Sequence, residues 1–567
     1  MRTAALLSLS LLLVACQRET SAPGAPTAPV AQKETYDASA GADARRIEAD
    51  VRFLADDLLE GREAGTRGYD LASLYVAQRM RATGLAPAGD EGSYFQRVPM
   101  LRGVIQAEGN ELVINRDGRS LALAFREQFL PNVNYNEADA HVEAQPVFVG
   151  QGVYAPELDH DDFAGVDVKG KVAVLFNGAP ARFDNDRRAF YSSSRTKAEE
   201  LVRRGAVGVI VVQSDEDEKK RPWTRAASNW NRPGMRLRGS DGKGIDTWPQ
   251  LKVAAMISAA SADALLSANG RTAKGLFQDL RDGKLRAFEL PGTVKLAARM
   301  EITPVDSRNV VGRIDGTDAA KKSEYVAFSA HLDHVGIGAP VNGDAIYNGA
   351  LDNALGIAVM LEAANRIAHA PEPTQRSLLF VAVTAEEKGL LGAEWFARNP
   401  TVPRESLVAN VNMDMPMLLA PTADVVPIGI EHSSLQALVQ QAAKEVGVDL
   451  SPDPSPEEVV FVRSDQYAFI RAGVPAVYLD GGYKGPDGAG EAAQKIQEEF
   501  LSQRYHQPGD DVNQPIQYAD AARLARLNAR IGTLIADAPQ RPVWKSGDFF
   551  GERFGRKAAA KAEAHAQ

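Results

Sequence analysis

Between residues 305 and 540 the chain alternates short, continuously apolar runs with segments of helical period. This feature constrains the fold most. The runs at 325–330, 378–384, 408–413 and 476–479 contain almost no polar residue. The intervening stretches 354–369, 390–398, 435–446 and 518–536 repeat apolar residues every three to four positions. Strands that are apolar on both faces, joined by helices, imply an α/β domain with a mostly parallel sheet and helices on both faces, three layers in all. In such sheets a ligand site lies beyond the carboxyl ends of the strands.

The residues just past each strand end bear that rule out. The first run leads into His331-Leu332-Asp333, the second into Glu386-Glu387 and the third into Asp414. Asp352 opens the helix after the first strand, and Tyr505-His506 precedes the last helix. Taken singly, each is ordinary: a surface pair, a solvated face, a helix cap. Together, five separated segments bring His, Asp or Glu to one sheet edge, as a metal held by converging ligands requires. The chain has one cysteine and eight histidines, so any metal site must be built from His, Asp and Glu. His334 reads as a loop histidine near the site rim rather than a ligand. His141, His160, His369, His432 and His565 lack such contexts and read as structural or surface residues. Two adjacent glutamates allow one to ligate while the other moves a proton. Glycoside hydrolysis also uses paired carboxylates, but it has no need of the histidines.

Six blocks, Ser329-Ala330-His331-Leu332-Asp333-His334, Asn348-Gly349-Ala350-Leu351-Asp352-Asn353, Ala385-Glu386-Glu387, Asn412-Met413-Asp414, Arg463-Ser464-Asp465 and Tyr505-His506, resemble the co-catalytic zinc aminopeptidases and glutamate carboxypeptidase-like peptidases of clan MH. The resemblance implies two zinc ions bridged by Asp352 and a water or hydroxide, with His331 and Asp414 on one and Glu387 and His506 on the other. It further implies Glu386 as general base, Asp333 as the orienter of His331, Tyr505 as a stabiliser of the oxyanion, and a cis Asp352–Asn353 bond. Gln466 stands where many relatives carry histidine, and Leu355 is bulkier than usual; both bear on specificity. By resemblance the activity is that of an aminopeptidase acting on peptides. Two alternatives stay open: a carboxypeptidase- or dipeptidase-like relative, with Arg463 available for a substrate carboxylate, and a receptor-like binding protein on the same fold.

Residues 138–295 have a different rhythm, with strand-like runs at 146–149, 172–176, 207–212 and 254–257. The stretches 163–174 and 198–211 resemble a protease-associated domain, which implies a β-rich insertion splitting the catalytic domain into 44–137 and 296–540. Its basic 219–248 loop, with three tryptophans, is expected at the rim of the cleft.

The amino terminus reads as an export signal, 1–15, ending in Leu13-Val14-Ala15-Cys16. This resembles a lipobox with Cys16 as the lipidated residue. Gln17 next to it, with no Asp, implies an outer-membrane lipoprotein facing the periplasm or the cell surface. The Ala/Pro/Thr/Ser-rich 16–43 segment reads as a tether and 541–567 as a fraying tail. A net charge of −10 argues against nucleic acid as a partner. The membrane contact expected is the lipid alone.

Overall fold

The computed structural model describes residues 41–555 except Asn269 and 487–490. The leader, Cys16, the tether up to residue 40 and the tail beyond 555 lie outside the described residues. No described helix is long and apolar enough to cross a membrane.

The large sheet contains β1 (Phe95–Ile105), β2 (Gly234–Leu237), β3 (Thr293–Ile314), β4 (Tyr325–His331), β5 (Ser377–Val383), β6 (Leu407–Asn412), β7 (Asp424–Ile428), β8 (Asp449–Leu450) and β9 (Ala476–Gly481), in the order β2-β1-β3-β5-β4-β6-β9-β7-β8. Strands β5, β4, β6 and β9 are mutually parallel, because a helix crosses over between them. The flanks are antiparallel: β1 and β3 arrive without a crossover helix, and β7 folds back on β9. The α/β class is as expected, but the sheet is mixed rather than mostly parallel, because the strands outside β5, β4, β6 and β9 join it mainly through antiparallel pairs. Every residue of β5 and β6 is buried, which is why their sequences are apolar apart from Ser377, Asn410 and Asn412.

Helices α1 (Ala42–Leu54), α2 (Arg67–Thr83), α3 (Gly356–Ala368), α4 (Leu391–Arg398), α5 (Leu435–Val446), α6 (Gln466–Arg471) and α7 (Tyr518–Asp537) cover the sheet. The first three, with α5 and α7, share one core on one face; α4 and α6 pack on the other. Three layers result. In α2 the apolar stripe is Tyr69, Ala72, Val76 and Met80, while Leu71 and Leu74 face solvent at 39% and 49% exposure. The leucines lie off the core face, which Tyr69, Ala72, Val76 and Met80 form at spacings of three and four.

The insertion forms a second, six-stranded sheet through Val172–Phe176, Gly208–Val212 and Val253–Ile257. Its amino-terminal boundary differs from the expected 138. Ile105, Leu112, Ile114, Leu123 and Phe129 belong to its core, and Phe129–Pro131 pairs with Val253–Ile257. The 22-residue β3 joins both bodies. Its first half pairs with Glu111–Arg116 and Asp139–Ala144, its second with β1 and β5. The expected fraying also fails at 541–555. There α8 (Phe549–Phe554) buries Phe550 completely, its ring 5.4 Å from those of Phe461 and His432. The aromatic residues ahead of the Ala/Lys run supply that contact.

Candidate active site

All five expected metal ligands stand at the carboxyl ends of the parallel strands. His331 closes β4, Glu386 and Glu387 follow β5, and Asp414 follows β6. Asp352 sits in the Ala350–Leu355 turn leading into α3, and His506 in the loop before α7. Asp352 lies between two poles. One of its oxygens is 3.2 Å from His331 Nε2, which is also 2.9 Å from Asp414 Oδ1. The other is 3.2 Å from His506 Nε2, which is 3.1 Å from Glu387 Oε2. The Asp352–Asn353 bond is cis.

Two sequence expectations need correction. His334 is not at a rim: it is fully buried, with Nδ1 2.8 Å from Glu387 Oε1 and its ring 5.5 Å from that of His506. Asp333 does not orient His331 through its carboxylate. His331 Nδ1 donates instead to the Asp333 backbone carbonyl at 3.1 Å. The buried Asp333 carboxylate accepts the backbone N–H groups of Glu386, at 3.0 Å, and Glu387, at 3.3 Å, and so holds the turn that carries both glutamates. A carbonyl two residues on can reach an imidazole whose own strand has just ended; the aspartate side chain points across to β5.

With Nδ1 committed as donor, a neutral His331 turns the Nε2 lone pair toward two carboxylates. Acceptors facing acceptors require a positive charge between them. The electrostatics agree. Burial alone would lower His331, but Asp414, Glu386 and Asp352 drive it well above its ordinary value. Burial would lower His506 too, yet Glu387 and Asp352 push it up to about 9. Burial opposes ionisation of Asp352 and Glu387, and the histidines around them nevertheless hold both carboxyls well below the usual range. His334 Nε2 is buried without any hydrogen-bonding partner, and His334 Nδ1 and Glu387 Oε1, although only 2.8 Å apart, meet outside hydrogen-bonding geometry. The donors group as His331, Asp352 and Asp414, and as His334, Asp352 and Glu387. These imidazole and carboxylate donors fit zinc. Glu386 differs: burial, then Asp414, Glu387 and Asp465, push its carboxyl well above the usual range, as suits a proton acceptor rather than a ligand.

Every one of these residues falls in a segment that matches a known family. Residues 309–531 match Peptidase family M28. A "Probable zinc metalloprotease" of Pyrenophora teres f. teres (strain 0-1) is 34% identical over 115 residues, 20% of this chain and 23% of that protein. One of the same description from Pyrenophora tritici-repentis (strain Pt-1C-BFP) is 33% identical over 115 residues, 20% of this chain and 25% of that protein. The match thus spans about a quarter of either relative. An aminopeptidase from Aneurinibacillus sp. strain AM-1 shares the fold, with a TM-score of 0.52, 20% identity, and coverage of 89% of this chain and 97% of that one.

Around the candidate ligands stand two groups that no motif singled out, Arg62 and Asp510. Arg62, 1% exposed, donates to the carbonyls of Leu332 at 2.9 Å, Asn348 at 2.6 Å, Gly349 at 3.0 Å and also Leu54. One guanidinium therefore ties the loop after β4 to the loop before Asp352. Asp510, buried, accepts from Leu351 N at 2.8 Å and Asp352 N at 3.0 Å and fixes the same turn from the other side. Gln466 is buried and accepts from Asn412 Nδ2 at 2.8 Å, so it braces β6 two residues before Asp414. Arg463 pairs with Glu458 at 3.3 Å and is already engaged. Tyr505 packs its ring 3.9 Å from that of His506.

The insertion reaches this site. Arg225 of the short helix Trp223–Ser228 donates to the carbonyls of Tyr505 and, at 3.0 Å, His506. The 219–248 segment carries this helix and β2 rather than forming a loop throughout.

Proposed function

We propose that the protein is a zinc-dependent aminopeptidase that binds two zinc ions. His331 and Asp414 would hold one, Glu387 and His506 the other, and Asp352 both. The observation that carries this reading is the position of Asp352, whose two oxygens face two separate imidazole–carboxylate pairs. Bound zinc supplies Lewis-acid polarisation of a peptide carbonyl and lowers the pKa of water at the site.

The chain's own groups supply the rest. Glu386, held by its N–H on Asp333, takes a proton at its carboxylate from the attacking water and returns it to the leaving amine. The Tyr505 hydroxyl, whose pKa burial and the nearby Asp352, Glu387 and Glu386 hold well above its ordinary value, stays protonated and donates to the developing oxyanion. Asp333, Arg62 and Asp510 hold the ligand loops at fixed spacing before substrate arrives. The substrates are peptides. The sequence Leu13-Val14-Ala15-Cys16 supports placing the enzyme at the outer membrane through a lipid on Cys16.

The test is turnover of aminoacyl p-nitroanilides against their N-blocked counterparts, with zinc stoichiometry measured on the same sample. Two zinc ions per chain and hydrolysis restricted to free amino termini are expected. Cleavage of N-blocked substrates alone would overturn the aminopeptidase assignment. An inert protein holding no zinc would leave the receptor-like reading.

A further inference from the structure

A cavity of about 360 Å³ is lined by Glu387, Lys388 and His506, by Arg232 and Arg236 of the insertion, and by Tyr135. The volume suits a small ligand of a few residues. The cations on its walls are not equivalent. Lys388 is neutralised by Glu63 at 2.7 Å. Arg225 is spent on two backbone carbonyls. Among the described residues, neither Arg232 nor Arg236 forms an ion pair, and the Glu63 and Glu387 carboxylates act on Arg232 only from farther off. Nε and Nη2 of Arg232 and Nε of Arg236 are buried without any acceptor.

Arg232 is also held in one orientation. Its guanidinium lies 4.2 Å from the centroid of the Tyr347 ring. On another side it meets Gly338, where a Cβ would overlap Nη2. Tyr347 is the residue before Asn348, whose carbonyl Arg62 grips, so the platform under Arg232 is continuous with the loop that carries Asp352. Arg236 sits 5.5 Å from the Tyr135 ring. A buried guanidinium without an acceptor is unfavourable, and a planar carboxylate is the acceptor its fork matches. A fixed arginine with unused donors, lining a small cavity together with Glu387 and His506, is therefore built for an anion that the chain itself does not pair with it.

We propose that Arg232, assisted by Arg236, is a subsite for a carboxylate of the substrate, and that the insertion thereby selects short or acidic peptides. The proposal rests on the peptidase reading and names its substrate class. A carboxylate could come from the free C-terminus of a dipeptide or from an acidic side chain at the amino terminus.

The experiment compares two ratios in wild type, Arg232→Ala, Arg232→Lys and Arg236→Ala. One is kcat/KM for Leu-Gly over Leu-Gly amide; the other is kcat/KM for Asp p-nitroanilide over Leu p-nitroanilide. A charge-assisted hydrogen-bonding pair is worth on the order of 10–100-fold. The wild type should favour one carboxylate substrate by about that factor, Arg232→Ala should bring the ratio near one, and Arg232→Lys should restore part of it. The ratio that responds identifies which carboxylate is bound. Ratios that ignore both arginine substitutions overturn the proposal. Calorimetric binding of Leu-Gly against Leu-Gly amide tests the same subsite without turnover. A protein that binds the dipeptide through Arg232 but hydrolyses nothing would sink the peptidase reading and keep the subsite, whereas hydrolysis with equal binding of acid and amide and an aspartyl ratio that ignores both arginines would do the reverse.

Discussion

The imidazole Nδ1 of His334 lies 2.8 Å from Oε1 of Glu387, inside the site rather than beside it. Because Glu387 offers its other oxygen to His506, His334 determines which way the carboxylate turns. Groups that orient a ligand typically change metal affinity 10–100-fold. His334→Ala should therefore weaken zinc binding by about that factor at the Glu387 pole, read by competitive titration with a chromogenic chelator. An unchanged affinity would make His334 a packing residue only.

Glu386 and Glu387 are neighbours with different surroundings, so their substitutions should fail differently. Glu387→Ala removes a carboxylate that faces His506 and His334, and zinc content should fall with activity. Glu386→Gln keeps the backbone N–H on Asp333 but loses the proton acceptor. Turnover should drop about 10²–10⁴-fold with both zinc ions retained. Near-normal turnover of Glu386→Gln, with zinc and rate measured on each purified variant, would contradict the mechanism.

Arg62 makes a sharper stability prediction than any ligand. Arg62→Met keeps bulk but leaves the carbonyls of Leu54, Leu332, Asn348 and Gly349 without their donor in a buried position. Hydrogen bonds to a charged group are worth about 1.5–3 kcal/mol each, and several are lost together. A loss of at least about 3 kcal/mol in urea unfolding is expected, with weaker zinc binding because two ligand loops come apart. A variant as stable as wild type would mean that water replaces the guanidinium.

The parts of the site that can be read in the sequence are those where a continuous apolar strand stops. His331, Glu387 and Asp414 each come directly after such a run, and a sheet buried on both faces leaves its strand ends as the place for polar groups. The rest depends on chain reversal and on contacts between distant segments. Arg62 sits in the short turn Asp57–Arg62, where Glu60, Gly61 and Arg62 all have positive φ, and nothing in a polar stretch shows that its last residue points inward. His334 is not legible because a residue three positions beyond a strand end can lie at a rim or in a pocket. β3 alternates partners along its length, so neither half reads as part of one 22-residue strand.

Across the seam between insertion and body, His432 makes stability depend on pH. Its Nδ1 is 2.7 Å from Asp548 Oδ2, and its Nε2 is 3.7 Å from both Asp186 Oδ1 of the insertion and Glu431 Oε1. Its ring stacks on Phe461 at 4.4 Å. Burial would lower its pKa, but Asp548, Asp186 and Glu431 raise it above the ordinary value of 6.5. The folded state therefore binds this proton more tightly than the unfolded chain does. The stabilisation is complete below about pH 6.5 and disappears as pH rises through the folded value. The thermal midpoint of the zinc-loaded protein should thus fall between about pH 6.5 and 8.5, with earlier proteolysis of the insertion at the higher pH. His432→Gln should cost about 1.5–3 kcal/mol at about pH 6, the worth of a charge-assisted hydrogen bond, and less at about pH 8.5. The decisive quantity is the difference between wild type and His432→Gln at each pH, which cancels every other titrating group. A difference that does not change with pH would show that His432 is neutral in the seam and contributes by packing on Phe461 and Phe550.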